Sequence, residues 1–183
     1  ANSLGISNPK SYSWESPFDF PNQSLFYHPK GLPQPNAPDF VDEIVKVAIP
    51  VINASQGRTF FLFTSHRALQ AAAKILDKKI KYPILVQGDK PKAILLDDFK
   101  QKGNAVLLGT ASFWEGIDVR GEALSTVIID KLPFSSPGDP VLKARLEAME
   151  KQGRKPFVEY QLPTAVIALR QGIGRLIRDV NDR

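Results

Sequence analysis

The sequence predicts an α/β fold in which a parallel β-sheet is flanked by helices. Short apolar runs of strand length recur along the chain, and segments with helical spacing of apolar residues separate them. The runs are apolar throughout, which is typical of strands that are buried on both faces of a parallel sheet. Four runs have this character, and they lie at residues 59–63, 83–86, 105–108 and 126–129. In such a sheet, function is expected at the carboxyl ends of the strands.

Residues 1–40 are predicted to form an extended arm that packs on a single domain formed by residues 41–183. Prolines recur through the arm, and aromatic residues lie between them, namely Tyr12, Trp14, Phe18, Phe20, Phe26 and Tyr27. These rings present more apolar surface than a free linker would leave in water. Residues 24–28 fit one short strand.

Five segments have helical patterns, and these are residues 39–54, 67–79, 92–102, 140–151 and a last helix from residue 164 onward. Pro50 is predicted to kink or end the first of them, because proline cannot donate the helical hydrogen bond. Asp139 is suited to cap the fourth, and Pro140 fits its first position.

Composition narrows the class of protein. The 183 residues, 43% of them hydrophobic, are enough for one well-buried core. The absence of cysteine excludes a disulfide scaffold, an iron–sulfur cluster held within this chain and a cysteine-based zinc site. With only two histidines, no metal site is expected in this chain. Without a long apolar run or an export signal, a soluble, cytoplasmic protein with no membrane contact is expected. A net charge of +5 permits binding to a polyanion without establishing it.

A polar stripe near the C-terminus is the strongest functional candidate. Helical spacing places Gln171, Arg175 and Arg178 on one side. The opposite side carries apolar residues, namely Val166, Leu169, Ile173, Leu176 and Val180. Gly172 and Gly174 would each cost a helix interior about 1 kcal/mol relative to alanine, so a ligand or another backbone is expected close by. Guanidinium groups suit phosphate oxygens, which makes the two arginines candidate arginine fingers. A solvated basic helix end is the alternative.

Hydroxyl residues follow two of the predicted strands. Thr64 and Ser65 follow the first, and Thr110 and Ser112 follow the third. Their hydroxyl and backbone groups are candidates for binding the phosphates of a nucleic acid, and Thr64 and Ser65 also precede a helix N-terminus. Simple capping of that helix explains Thr64 and Ser65 equally well.

Other candidate contacts lie beside these hydroxyl residues. His66 opens the helix after the first strand, and Lys131 follows the fourth strand, where a solvated lysine is the alternative. Phe113 is predicted either to stack on a base or to pack locally.

Glu115 and Asp118, on either side of Gly116, could position a water, a cation or an arginine, although acids that cap turns explain them as well. None of the 12 glycines is followed by lysine, so the phosphate-binding loop of P-loop ATPases does not occur. We therefore expect that ATP and magnesium would be held mainly by another domain.

Four segments together resemble a known family. Residues 171–178 resemble motif VI of superfamily 2 helicases, and residues 109–118 resemble motif V of the DinG/XPD branch. Residues 60–65 resemble motif IV, and Gln87 with Gly88 resembles the element that follows the next strand. Residues 3–5 also resemble the sequence downstream of motif III in DinG-like proteins.

The resemblance implies a RecA-like fold and the role of second motor domain in an ATP-dependent DNA helicase. Such enzymes move 5′ to 3′ on single-stranded DNA and unwind duplexes, typically in DNA repair. The first RecA-like domain of the same protein carries the phosphate loop, the magnesium ligands and often an iron–sulfur cluster. This chain alone is therefore expected to be inactive.

The resemblance also implies roles for individual residues. Arg175 and Arg178 would contact the γ-phosphate, assisted by Gln171, and Gly174 belongs to the same motif. The residues that would couple nucleotide state to the grip on DNA are Glu115, Gly116 and Asp118. The residues that would hold the DNA backbone are Thr64, Ser65, Thr110 and Ser112. The second domain of an RNA helicase and a stand-alone nucleic-acid-binding module remain as alternatives.

Overall fold

A parallel sheet with helices around it forms the body of the protein, as the alternating pattern predicts. The computed structural model describes residues 10–16, 18–110, 113, 119, 123–136, 138–174 and 176–177. The strands are β1 (Thr59–Phe63), β2 (Ile84–Val86), β3 (Val106–Thr110) and β4 (Thr126–Ile129). The helices are α1 (Phe20–Gln23), α2 (Phe40–Ala54), α3 (His66–Leu76), α4 (Lys92–Lys102), α5 (Pro140–Lys151) and α6 (Leu162–Ile173), with a π-helical segment (Phe157–Gln161) before α6.

The four strands lie in the order β2-β3-β1-β4 and are all parallel. In the register of the sheet, Phe63 at the end of β1 lies beside Thr110 at the end of β3. Thr59 at the start of β1 lies beside Thr126 at the start of β4. The two central strands, β1 and β3, are buried along their whole length, which explains their uninterrupted apolar sequence.

Successive side chains of each strand point to opposite faces of the sheet and pack into two separate hydrophobic cores. Phe61 and Phe63 of β1 pack with α2 and α3 on one face, where their ring centroids lie 4.4 Å apart. Phe60 points to the other face, where its ring packs 4.9 Å from that of Phe99 on α4. The strands are therefore covered on both faces, and their two ends, called here the carboxyl edge and the amino edge, are left for other contacts.

Helix boundaries follow local capping. The Oγ of Ser65 accepts a hydrogen bond from the Ala68 backbone N–H and caps α3. An Oδ of Asp139 accepts from the N–H groups of Val141 and Leu142, which confirms the predicted cap of α5. These caps satisfy N–H groups that have no partner within the helix.

Two local predictions differ from the structure. Pro50 does not end α2, which continues to Ala54, because the proline lies exposed near the end of the helix and removes a single hydrogen bond there. A kink at Pro50 stays a prediction. Residues 24–28 form no strand, and each of them is exposed without a neighbouring strand to pair with.

In the N-terminal segment, most aromatic side chains are exposed. Trp14 is 82% exposed and Phe26 is 80% exposed, and Trp14 stacks on Tyr12 instead of on the body. Packing against the α2/α3 core begins with Leu32 and Ala37. The boundary at residue 40 stays a prediction, but the expected packing of these rings is not found.

The last helix also differs from its prediction. It starts at Leu162, ends at Ile173, and has Gly174 as its C-cap, with Leu176 already outside it. The prediction of one continuous helical stripe from residue 171 to residue 178 is therefore wrong. The predicted apolar face is wrong in part, since Val166 and Ile173 are each 40% exposed, whereas Leu169 is half-buried and Leu176 packs against the core formed with α4.

The buried face of α6 instead carries small residues. Ala165 and Gly172 are buried and lie seven residues apart, two turns along one side of the helix. Small side chains at this spacing allow a neighbouring backbone to come close.

Throughout the described residues, no helix combines the length and apolar character needed to cross a membrane.

Candidate nucleic-acid interface at the carboxyl edge

The carboxyl ends of β1 and β3 are the place where an open α/β sheet with this strand order is expected to form a ligand crevice. After β1 the chain turns into α3 on one face, whereas after β3 it reaches Phe113, which packs on the other face. Neighbouring strands whose connections leave toward opposite faces form the crevice in which open α/β sheets bind ligands. Thr64, which follows β1, is half-buried at this place, whereas Thr110 at the end of β3 is only 6% exposed.

Asp130 connects the ends of β1 and β4. Its Oδ1 accepts a hydrogen bond of 3.1 Å from the Thr64 backbone N–H and one of 2.8 Å from the Lys131 N–H. Its Oδ2 accepts from the Thr64 hydroxyl at 3.3 Å and contacts the Lys131 ammonium, also at 3.3 Å. The carboxylate itself is fully buried. Sequence reasoning missed this residue, although an acid between a buried strand and a lysine was a visible signal.

Burial raises the pKa of Asp130, because a carboxylate loses hydration inside the protein. The Lys131 charge and the hydrogen bonds from Lys131 and Thr64 oppose that shift without cancelling it. Several hydrogen-bond donors therefore hold the Asp130 carboxyl group in place, although its burial costs hydration free energy.

A second connection of the same kind joins β2 to β3. The Oε1 of Gln87 accepts hydrogen bonds from the Thr110 backbone N–H at 2.6 Å and from its hydroxyl at 3.0 Å. Gln87 itself donates its backbone N–H to the Leu108 carbonyl. An oxygen acceptor from a neighbouring strand end thus engages each of the two threonines that border the crevice.

The predicted DNA-contacting residues occupy different positions at this edge. Thr64 donates its N–H and its hydroxyl to Asp130. Capping of α3 was the alternative prediction for both residues, and Ser65 is the one that caps it. His66 is exposed at the first turn of α3. The Lys131 ammonium lies 5.3 Å from the centroid of the Phe40 ring and is partly exposed. Lys131 is therefore one of the positive charges at this edge, where Arg67 in the first turn of α3 is also exposed.

Next to Lys131 lies a cavity of about 580 Å³. Its walls are formed by Pro35, Thr64, Lys131, Leu132, Phe134, Ser135 and Ser136. The two serines are exposed, and the Phe134 ring stacks at 5.8 Å on Phe157. A cavity with one cation, several hydroxyls and apolar walls can accommodate a phosphate and an attached ring. Residues 132–136 were not among the predicted site residues.

Phe113 is corrected by the structure. Its ring is 3% exposed and packs in the core formed with α4, so it cannot stack on a base in this conformation. A Cβ atom at Gly109 would lie 3.0 Å from the Phe113 Cβ, which shows how closely the ring lies against β3. The Phe113 ring packs locally, which was the alternative prediction for this residue.

Only part of the predicted nucleotide-contacting set can be placed. Gln171 is exposed in the last turn of α6, and Gly174 caps that helix. The other predicted residues lie outside the described part of the chain, and these are Ser112, Glu115, Gly116, Asp118, Arg175 and Arg178. Among the described residues, no cluster of potential metal ligands occurs.

Comparisons with known proteins place the chain among helicases. The family model described as "Helicase C-terminal domain" matches residues 48–183. A relative named ATP-dependent DNA helicase YoaA, from Escherichia coli, is 49% identical over 98% of this chain. A relative named ATP-dependent helicase DinG, from Mycobacterium tuberculosis, is 37% identical over 92% of it.

A third relative, from Bacillus subtilis, is named 3′-5′ exonuclease DinG and is 35% identical over 98% of this chain. The chain spans only 28%, 26% and 20% of the lengths of these three relatives, so it corresponds to one part of much longer proteins. A solved structure named XPD helicase superposes with a TM-score of 0.61 at 23% identity, covering 80% of this chain and 27% of that one. That likeness shows a shared fold.

Proposed function

The chain belongs to the helicase C-terminal domain family, and we propose that it is the second motor domain of an ATP-dependent DNA helicase. The whole protein would couple ATP hydrolysis to 5′ to 3′ movement on single-stranded DNA and to unwinding, in DNA repair. The names of the YoaA and DinG relatives support DNA and ATP as the substrates. Direction, strand preference and pathway come from the family resemblance of the motifs.

The sequence of 183 residues supports a role as one half of a nucleotide site. It contains no phosphate-binding loop, yet it carries Gln171, Arg175 and Arg178 in the order of motif VI. The described member of this set, Gln171, presents an exposed side chain at the end of α6, where it is free to reach a ligand. Arginines suit the charge that develops on a transferring phosphoryl group. ATP and magnesium, held mainly by the first domain, would supply the phosphoryl-transfer chemistry.

The residues at the carboxyl edge support a role in binding DNA. The crevice between β1 and β3 and the cavity beside Lys131 lie at the same edge of the sheet. Lys131 offers a partly exposed cation there, while Asp130 fixes the loops on which Thr64 and Lys131 lie. Ser65 and His66 lie at the start of α3, whose N–H groups favour an anion. In this proposal Thr64 orients the edge, and Lys131 contacts the backbone.

The observation that carries the proposal is the pairing of helicase family membership with a missing phosphate loop. It predicts that the 183-residue chain alone does not hydrolyse ATP at a measurable rate. In the whole protein, hydrolysis should occur and should increase with single-stranded DNA. Magnesium-dependent turnover by the isolated chain would contradict the proposal.

A substitution tests the arginine role in the whole protein. Arg175→Ala should reduce ATP hydrolysis by a factor of about 10³ or more, the range known for arginine fingers, while nucleotide binding is largely retained. Arg154→Ala, which removes an exposed arginine that pairs with Glu159, is the matched control and should leave turnover unchanged. Normal turnover in the Arg175 variant would remove that residue from the finger role.

The names of the relatives also define what must be distinguished. An RNA helicase would be stimulated more by single-stranded RNA than by DNA of the same sequence. Because the Bacillus subtilis relative is named an exonuclease, nucleotide release from a 3′-labelled strand should be measured in parallel. Exonuclease activity that survives Arg175→Ala would belong to another part of the protein.

A further inference from the structure

We propose that the amino edge of the sheet binds the phosphate backbone of a second stretch of DNA, away from the crevice at the carboxyl edge. The amino-edge basic surface consists of six residues, namely Arg58, Lys78, Lys79, Lys81, Lys100 and Lys102. The choice of DNA as the polyanion rests on the proposed function. The surface itself follows from the topology of the chain.

The topology brings three connections together at this edge. α3 and α4 both run back along the parallel strands, so both end at the amino edge. A Cβ atom built on Gly57 would lie 2.5 Å from the Asn104 carbonyl oxygen and 2.7 Å from the Tyr82 ring. The segments before β1, β2 and β3 are therefore in direct contact, and the basic residues lie on these segments or on the helix ends that lead into them.

The charge of this surface is largely uncompensated. The five lysines are exposed, and in the described part of the chain none of them forms an ion pair. The acids nearest to them in the described sequence are Asp77, next to Lys78, and Asp97 and Asp98, each within one helical turn before Lys100, and Asp98 pairs with Lys90. A cluster of unpaired cations raises the local concentration of a polyanion and contributes to its affinity through counterion release.

Arg58 provides a geometric element that free lysines lack. It is half-buried, and its Nε donates to the Ser55 carbonyl at 3.1 Å, which orients the guanidinium group. In the described residues its two terminal nitrogens have no protein partner, and Arg58 is among the residues that line a cavity of about 330 Å³. Lys100 and Asn104 line the same cavity. A held guanidinium group beside a lysine matches the geometry of a phosphate.

Helix ends explain part of this charge but not all of it. Lysine favours the last turn of a helix, where it interacts with the carbonyl ends, and Lys100 and Lys102 lie in the last turn of α4. Arg58 and Lys81, however, lie in the connections before β1 and β2, outside any helix. Their contribution is to extend the positive surface across the whole edge.

The two edges of the sheet are separate sites. Strands of five or six residues span roughly 17–20 Å, and β1 has five residues. A nucleotide in the crevice beside Thr64 therefore does not contact Arg58. The amino edge is suited to a strand or duplex that continues past the crevice.

The test uses the whole helicase and a duplex that carries a single-stranded tail. The edge variant carries Lys78→Glu, Lys81→Glu and Lys100→Glu. The control variant carries Lys143→Glu, Lys151→Glu and Lys155→Glu, three exposed lysines on and after α5, so that both variants have the same net charge. Fluorescence anisotropy measures affinity between about 50 and 200 mM salt, the range in which phosphate contacts dominate.

The edge variant should bind the tailed duplex at least tenfold more weakly at low salt. Its slope of log K against log salt should become shallower by about 0.9 for each phosphate that the protein no longer neutralises. The control variant should keep the wild-type slope. Equal slopes in the two variants would overturn the inference.

Two further measurements keep the outcome interpretable. Circular dichroism and the unfolding midpoint of each variant establish that it is folded, and Lys→Gln at the same three edge positions should produce a smaller change in the same direction. ATP hydrolysis stimulated by a short single strand should be unchanged in the edge variant, since that strand fills only the crevice. If the wild-type protein shows no DNA-stimulated hydrolysis, the proposed function fails. If stimulation is intact and only the slopes are equal, the amino-edge surface alone fails.

Discussion

Asp130 and Thr64 are separated by 66 residues in the chain, yet the carboxylate of one accepts both the backbone N–H and the hydroxyl of the other. The contact exists because β1 and β4 are neighbours in the sheet and end at the same level. It therefore links the loop after β1 to the loop after β4, the two loops that border the cavity beside Lys131. The shape of the candidate DNA-binding edge depends on this one side chain.

Removal of the Asp130 carboxylate should destabilise the fold. In Asp130→Ala the partly buried N–H groups of Thr64 and Lys131 lose their acceptor, which costs roughly 1–3 kcal/mol. Asp130→Asn keeps one oxygen for these donors and should cost less. Urea unfolding measures both, and Asp98→Ala, which breaks an ion pair with Lys90 at the surface, should change stability by less than about 1 kcal/mol. Equal losses in Asp130→Ala and Asp98→Ala would contradict this account.

The raised pKa of Asp130 predicts a pH dependence of stability. The folded protein binds this proton more tightly than the unfolded chain, whose aspartate has the ordinary value of 3.8. The unfolding free energy should therefore fall as pH rises from about 3.8 through the raised pKa. Glu159 acts in the opposite direction, because its pKa is lowered by its hydrogen bonds to Lys155 and Arg154.

Comparison with Asp130→Asn isolates the contribution of Asp130, because Glu159 is present in both proteins. The unfolding free energy of the wild-type protein should fall relative to that of the Asp130→Asn variant as pH rises above 3.8. Denaturant titrations at several pH values check the direction. A difference that is constant with pH, or that shifts toward the wild type, would show that burial does not raise this pKa.

Two glycines with positive φ should respond differently to alanine. Gly57 has φ of 85°, and its new Cβ would lie 2.5 Å from the Asn104 carbonyl, so Gly57→Ala should cost roughly 2–5 kcal/mol from strain and overlap together. Gly31 has φ of 80° with no atom within 4 Å of the Cβ position. Gly31→Ala should therefore cost only the backbone strain, about 1–2 kcal/mol. Thermal unfolding of the pair provides the check, and a larger loss at Gly31 would reject the packing around Gly57.

Pro50 inside α2 should limit the stability of that helix. Pro50→Ala restores a backbone N–H that can donate to the Lys46 carbonyl, and the new side chain points to solvent. After allowance for the greater freedom of the unfolded chain, a gain of roughly 1–3 kcal/mol is expected. Pro140→Ala at the first position of α5 is the control, since the N–H there has no helical acceptor. A gain at Pro140 as large as that at Pro50 would contradict the explanation.

Much of the fold could be predicted because its strands are buried on both faces. The apolar runs at 59–63 and 126–129 match β1 and β4, and the helices at 92–102 and 140–151 match α4 and α5. Capping at Asp139 was predictable for the same reason, since the signal and its effect lie within three residues. Local patterns therefore sufficed wherever local contacts decide the structure.

The candidate site was only partly predictable. Thr64 and Thr110 stand out because they follow buried strands, but the acceptors Asp130 and Gln87 lie 66 and 23 residues away from them. Their pairing depends on the order of the strands, which no local pattern encodes.

The buried face of α6 was missed for a different reason. Its buried residues, Ala165 and Gly172, are small, whereas the larger apolar residues Val166 and Ile173 are exposed. A search for apolar spacing weights large side chains and therefore predicted a face displaced by one residue from Ala165 and Gly172.

The contact between Thr64 and Asp130 also fixes the polarity of the crevice. A hydroxyl group has a single hydrogen, and that of Thr64 is given to the carboxylate, so the oxygen turns its lone pairs toward an incoming molecule. A bare phosphate oxygen would meet another electron-rich atom there, whereas an amino group or a bridging water brings the hydrogen that this oxygen can accept. In the proposed DNA-binding role, the Thr64 oxygen would therefore favour a hydrogen-bond donor, and the negative charge of the backbone would be left to Lys131 beside it.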